Sequence, residues 1–289
     1  METFSRDNDY WETYTRNFSI ISRNQQEGIK KMKIAVGGCG STGGAFIDGL
    51  LRLGVTKYHL TDNGLYDQSN LNRQMVSRKD IGKNKAIVYG ERIADINPDA
   101  LVNTWSEGLT EANMGEFLDD VDFLFDGVDV TTSDGMKAKL ALHEMAAERK
   151  IPTGSALDLG FTQWIQSYNY HTGDAVLHGR LDKAKKATNP ISSVLEGFIN
   201  LEEIPDGFMN ELLRFLKEPT TGVSQVSSAC FLLSSLTAPY LLYFIEHKKL
   251  PPLVVIDIKS FFETKEQQEE IKGQAAKSLP LVRQILAKL

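Results

Sequence analysis

Cysteine is nearly missing from this 289-residue chain, with only Cys39 and Cys230 present. Two thiols cannot complete a four-cysteine zinc site, so no structural zinc is expected. A basic excess is also missing. The net charge of −6 argues against nonspecific nucleic-acid binding, and the short run Lys183, Lys185, Lys186 reads as a solvated loop. The polar N-terminus has no apolar signal core, and Ser, Thr and Pro239 interrupt the longest apolar stretch, from Ala229 to Ile245. Neither a leader nor a membrane span is expected, and the expected location is the cytoplasm. No internal repeat or low-complexity tract occurs. With 42% hydrophobic residues the chain has ample material for a buried core.

What is present begins with Gly38-Cys39-Gly40-Ser41-Thr42-Gly43, which follows the apolar run Ile34-Ala35-Val36. Glycines after a strand permit a tight turn and close approach of backbone to phosphate at a helix N-terminus. Gly38, Gly40, Ser41 and Gly43 are therefore candidate phosphate-loop residues. Asp62, at the end of the next apolar segment, stands about 20 residues on, where a carboxylate binds a ribose hydroxyl. NAD and ATP both satisfy this much.

The next stretch separates them. Ser69-Asn70-Leu71-Asn72-Arg73-Gln74, followed by Gly82-Lys83-Asn84-Lys85, resembles the ThiF/MoeB/HesA family of ubiquitin-activating-like adenylating enzymes, with its Asn-Leu-x-Arg-Gln and Gly-x-x-Lys signatures. Tyr14-Thr15-Arg16-Asn17 upstream and Phe125-Asp126-Gly127-Val128-Asp129 downstream are similar to further family segments. The likeness covers residues 12–160 well and the remainder loosely.

The resemblance implies ATP, Mg and a carboxylate substrate. Attack on the α-phosphorus adds charge to an already anionic group, so fixed cations are needed more than a protein nucleophile. Arg73 and Lys85 would supply them, with Lys83 competing for the second role. Asp129 would hold magnesium with Asp126 supporting it from behind, and Asn70 and Gln74 would line the nucleotide. Arg16 matches an arginine that in the family reaches a neighbouring subunit's nucleotide, which implies a homodimer. The expected carboxylate is that of a small carrier protein, a peptide, a tRNA base or a small molecule.

Departures shape the expectation. Val130 stands where the family has Asn, and Ser41 replaces a loop glycine. Relatives that form thioesters need a cysteine in the crossover segment, about 185–221, and this chain has none there. Cys230 falls in an apolar helix, where a buried inert thiol is expected. Direct attack on the acyl-adenylate follows. The alternative is a noncatalytic partner subunit or NAD-binding regulator; Arg73, Lys85 and Asp129 together argue against it.

Hydrophobic periodicity predicts alternating strands and helices up to residue 160, hence a doubly wound, Rossmann-like α/β fold with a mostly parallel sheet. Residues 1–30 read as an N-terminal helical segment serving the dimer and 31–160 as the nucleotide-binding domain. Residues 161–289 read as a sheet extension with antiparallel strands, a crossover loop and C-terminal helices in the same unit. The expected elements include a helix over 110–118 and a mobile loop over 181–200.

Overall fold

In the computed structural model, residues 6–218 and 223–288 are described; the last residues of the expected crossover segment lie outside them. A seven-stranded sheet runs through the molecule in the order β3-β2-β1-β4-β5-β6-β7. Strands β1 (Lys33–Gly37), β2 (Lys57–Thr61), β3 (Leu101–Trp105), β4 (Phe123–Asp126) and β5 (Thr153–Leu159) are parallel. β6 (Thr162–Tyr168) and β7 (Leu253–Asp257) continue the sheet antiparallel. Because helices cover both faces, the central strands are apolar on both sides, and Ile34, Ala35 and Val36 are sealed. β6 is buried at every position as well, so neither of its faces is wet.

On one face lie α2 (Arg23–Lys31), α3 (Ser41–Leu53), α4 (Lys85–Ile96) and α10 (Ser227–His247), whose Ile29, Phe46, Tyr89 and Leu233 share one core. On the other lie the short α5 (Met114–Phe117), α6 (Ser133–Glu148), α7 (Leu181–Lys186) and α8 (Pro190–Gly197), joined through Phe117, Leu140, Ala184 and Phe198. α9 (Asp206–Lys217) pairs with α11 (Lys265–Leu286) over Trp164. At the N-terminus α1 (Arg6–Thr13) precedes a 3-10 turn, Thr15–Asn17. α10 is long and apolar enough to cross a membrane, yet its Leu233, Thr237, Tyr240 and Leu241 are buried against α3 and the sheet.

Two expectations are corrected. The helix over 110–118 shrinks to α5, because Thr110 and Asn113 exchange hydrogen bonds with each other's backbone N–H (2.8 and 3.2 Å), and Asn113 also holds Gly108 O. The loop over 181–200 is two helices. Asn189 caps α8 by accepting from Ser192 N at 2.9 Å with Pro190 in the first turn, and Ser193 Oγ ties the pair by donating to Ala184 O.

Chain order reverses between β1 and β4, and the crevice at such a reversal is where ligands bind in open α/β sheets. Thr61, Gly37 and Asp126 are register partners across β2, β1 and β4. The residues that follow them therefore face one another at that edge.

Candidate active site

Gly38 leaves β1 at φ +82°, and a Cβ there would lie 2.3 Å from Gly127 O; one on Gly43 would lie 1.7 Å from Gly38 O. Only glycine lets the two loops close on each other and bring the start of α3 down to the sheet edge. Asp62 braces this loop, with Oδ2 accepting from Cys39 N and Oδ1 from Gly64 N, both at 2.7 Å. Burial raises its proton affinity, and the Lys85 field and those two N–H groups oppose the rise.

Lys85 is carried in by the same contacts. Asn84 donates to Asp62 O at 2.7 Å, and Lys85 N donates to Gly64 O at 3.0 Å, which starts α4 under the loop. Its Nζ lies 3.9 Å from where a Cβ on Gly40 would stand and 3.4 Å from one on Gly64. Lys83 points elsewhere, to Asp80 at 3.9 Å and Glu91 at 3.6 Å. Of the two lysines, only Lys85 thus has its Nζ beside the glycine loop.

Asn70 locks the 3-10 turn Gln68–Asn72, its Oδ1 accepting from Asp67 N while Asp67 Oδ1 accepts from Asn70 N. Arg73 follows at the end of that turn. Its Nη1 donates to Ser69 O and Asn72 Oδ1, but the buried Nε has no partner, and neither has the buried Oε1 of Gln74. Unmatched buried donors and acceptors are costly, so two of them on consecutive residues, in the segment that connects Asp62 to Lys85, fit a site for a polar ligand.

The two downstream aspartates differ. Asp129 is exposed at the rim beyond Gly127, its carboxylate accepting from Thr131 N (2.8 Å) and Thr131 Oγ1 (3.0 Å). Asp126 is sealed beneath it, ion-paired with Lys139 and 2.8 Å from His143 Nε2. Arg16 is not brought to the loop. It sits exposed in the turn after Tyr14, whose hydroxyl donates to Leu51 O in the last turn of α3, about 15 Å from Ser41 by helical rise.

Two residues here escaped sequence reasoning. Asp158, near the end of β5, accepts from Ser41 Oγ at 2.5 Å and from Cys230 Sγ at 3.3 Å. The Cys230 thiol is thus not merely core: it stands 2.7 Å from Ser41 Oγ, beside the glycine loop. Burial, then the nearby Asp158 charge, pushes it up to about 12. The available signal was position, since Asp158 lies near the C-terminal end of a parallel strand, as Asp126 does.

The ThiF family model matches residues 14–277. The chain belongs to the ThiF family. It is 31% identical over 168 residues to an uncharacterized protein, MT1398, of Mycobacterium tuberculosis, covering 57% of this chain but only 22% of that protein. It is 28% identical over 196 residues to tRNA threonylcarbamoyladenosine dehydratase of Bacillus subtilis, covering 67% of this chain and 71% of the relative. The fold matches that of the E. coli tRNA N6-threonylcarbamoyladenosine dehydratase crystallised with ATP, with a TM-score of 0.59 at 18% identity over 85% of this chain and 98% of the other.

Proposed function

We propose that this ThiF-family chain is an ATP- and Mg-dependent adenylating enzyme. It joins a substrate carboxylate to AMP, releases pyrophosphate, and passes the acyl group directly to a nucleophile. The observation that carries this reading is the pair of unmatched buried polar atoms, Arg73 Nε and Gln74 Oε1, close along the chain to a lysine at the glycine loop. In that reading a carboxylate oxygen attacks the α-phosphorus and the bond to the bridging oxygen breaks. Arg73 and Lys85 neutralise the charge that builds up, which is the main catalytic demand of phosphoryl chemistry. Gly38, Gly40, Ser41 and Gly43 face the phosphates, Asp62 the ribose, and Asn70 and Gln74 the rest of the nucleotide.

Magnesium fits as a partner of the phosphates. Among the described residues no cluster of three acidic, His or Cys side chains could cage a metal, whereas one exposed carboxylate, Asp129, suits a cation that keeps its waters and binds through phosphate oxygens. When bound it would supply positive charge at those oxygens. Asp126, consumed by Lys139 and His143, would act only by holding the loop that carries Asp129.

Thioester transfer is disfavoured by both thiols. Cys39 and Cys230 are buried, and burial holds Cys39 well above the ordinary thiol range as it does Cys230, whereas nucleophilic cysteines are exposed thiolates. The carboxylate belongs to a protein or peptide C-terminus or to a tRNA base; a relative named for tRNA work keeps the last class in view. The cytoplasm would supply all of these.

A homodimer completes the site. α10 is apolar all round but covered on one side only, leaving Phe231 48% and Tyr243 45% exposed. Its first turn touches the glycine loop through Cys230, while its last turn meets α2, where Gln25 Nε2 donates to Glu246 at 2.6 Å. A second copy laid antiparallel on this face would bring the end that carries Arg16 to this copy's phosphates.

The test is ATP–pyrophosphate exchange against pooled free-carboxylate peptides and total tRNA, with calorimetry of ATP·Mg and NAD. Exchange with one pool and ATP·Mg binding are expected. Tight NAD binding without any response to ATP would overturn the reading.

A further inference from the structure

Four aspartates are buried among the described residues: Asp48, Asp80, Asp126 and Asp158. Three have a cation within 4 Å, namely Arg92, Lys83 and Lys139. Asp158, 6% exposed, has only neutral donors. Ser41 Oγ gives it 2.5 Å, Cys230 Sγ 3.3 Å, and Gln163, with its amide turned to satisfy both acceptors, donates to Asp158 Oδ1 at 2.9 Å and Ala229 O at 2.8 Å. The groups facing it are therefore Ser41 from α3, Cys230 from α10, Gln163 from β6 and, at longer range, the Arg73 charge. A buried carboxylate without a counter-ion is costly, and such groups concentrate where protons are handled.

Its setting says what it would answer to. Ser41 is the first residue of α3, at the end assigned above to the phosphates. A triphosphate arriving there brings several negative charges to within one hydroxyl of Asp158 and draws Arg73 toward itself. Two anions in a water-poor site do not both stay charged, and the weaker acid takes up a proton.

We propose that Asp158 is the proton acceptor of the nucleotide site: triphosphate binding is accompanied by protonation of Asp158, with the Ser41 hydroxyl linking the two. A hydroxyl has one proton to donate. In the free protein Ser41 spends it on Asp158; once Asp158 carries its own proton it donates to Ser41 Oγ, and the Ser41 O–H turns to a phosphate oxygen. One covalent bond forms, the O–H on Asp158, as hydronium or a buffer acid in solvent gives up the proton; otherwise only these hydrogen bonds change. AMP brings less charge and couples less, so Asp158 distinguishes triphosphate substrate from monophosphate product. Burial already raises the proton affinity of Asp158, the hydrogen bonds from Ser41 and Cys230 and the Arg73 field opposing it, so a nearby polyanion has less far to shift it.

The inference rests on the nucleotide site proposed above, and calorimetry separates the two. ATP·Mg is titrated into wild type and Asp158→Asn in Tris and in PIPES, whose ionisation enthalpies differ. Wild type should take up about half a proton or more above the Asp158→Asn baseline. Equal proton counts in the two proteins would overturn the role of Asp158 and leave the nucleotide site standing. No ATP·Mg binding at any pH would remove both. Should Asp158→Asn not fold, wild type alone decides: from pH 6 to 8.5 its Kd for ATP·Mg should rise by up to about tenfold per pH unit, while its Kd for adenosine stays flat. A flat ATP·Mg profile, or an equal slope for adenosine, overturns the proposal.

Discussion

His143 Nε2 lies 2.8 Å from Asp126 Oδ2, and His143 Nδ1 lies 2.8 Å from the Tyr170 hydroxyl, with all three side chains buried. The network assigns one tautomer: Nε2–H donates to the carboxylate and Nδ1 accepts from Tyr170. Burial lowers the proton affinity of His143, and the Asp126 carboxylate offsets only part of that. The folded chain thus holds it neutral while the unfolded chain protonates it near pH 6.5. Stability should be complete above about pH 6.5 and fall as pH drops, by at most about 2 kcal/mol between pH 6.5 and 5 from this residue. His59 and His178, also lowered chiefly by burial, add to the same slope. Thermal melts of wild type and His143→Gln at pH 7.5 and 5 should show a smaller acid loss in the variant; equal losses would mean that His143 is not held neutral.

The same pocket makes a second prediction about stability. Burial alone would raise Asp126, yet Lys139 and His143 hold it below the usual carboxylate range, so Lys139 compensates a charge that has no route to water. Lys139→Met should cost about 3–5 kcal/mol, the usual effect of leaving one partner of a buried pair uncompensated, read from the denaturant midpoint. A loss under about 1 kcal/mol would show the pair to be better solvated than its burial indicates.

Direction of side chains gives a third prediction. Lys85 Nζ reaches the glycine loop, while Lys83 lies on Asp80 and Glu91. Arg73→Ala and Lys85→Ala should each lower pyrophosphate exchange by roughly 10²-fold or more, as loss of a preorganised charge at a reacting phosphate does. Lys83→Ala should stay within a few-fold of wild type. The reverse ranking of the lysines would displace Lys85 from the site.

These contrasts also mark what the sequence made legible. Strand runs such as Ile34-Ala35-Val36 and the glycine loop are local patterns, and they located the parallel part of the sheet. Residues 181–200 read as a mobile loop because they are polar, when here Asn189 begins α8 with a cap. Asp158 was hidden for another reason: its partners Ser41 and Cys230 lie 117 and 72 residues away. No periodicity within one segment reports such a meeting. Cys230 looked inert because its helix is apolar, and only packing against α3 revealed the hydroxyl and carboxylate beside it.

The thiols nevertheless remain poor nucleophiles, which yields a fourth prediction. Cys39→Ser with Cys230→Ala should still form acyl-adenylate and complete transfer, with some stability lost where Cys230 packs. A nonreducing gel after incubation with ATP·Mg and the peptide or tRNA pool that supports exchange should show no thiol-sensitive band. Such a band in wild type, absent together with product in the double variant, would establish a thioester.

Arg16 provides the test of assembly. In its own chain it is held at the far end of α3, by Tyr14 on Leu51 O and by Asn17 near Leu53 O, so it can meet a triphosphate only by crossing to another copy. Arg16→Ala and Arg73→Ala should then each be nearly inactive alone, yet regain activity when mixed under conditions that exchange subunits. Half the dimers would be mixed, each with one site that has both arginines, so about a quarter of wild-type activity should return. Phe231→Arg, on the uncovered face of α10, should abolish the rescue and shift the chain to a monomer in sedimentation. Failure of the mixture to recover, with exchange demonstrated by the mass of tagged heterodimers, would place Arg16 outside the site.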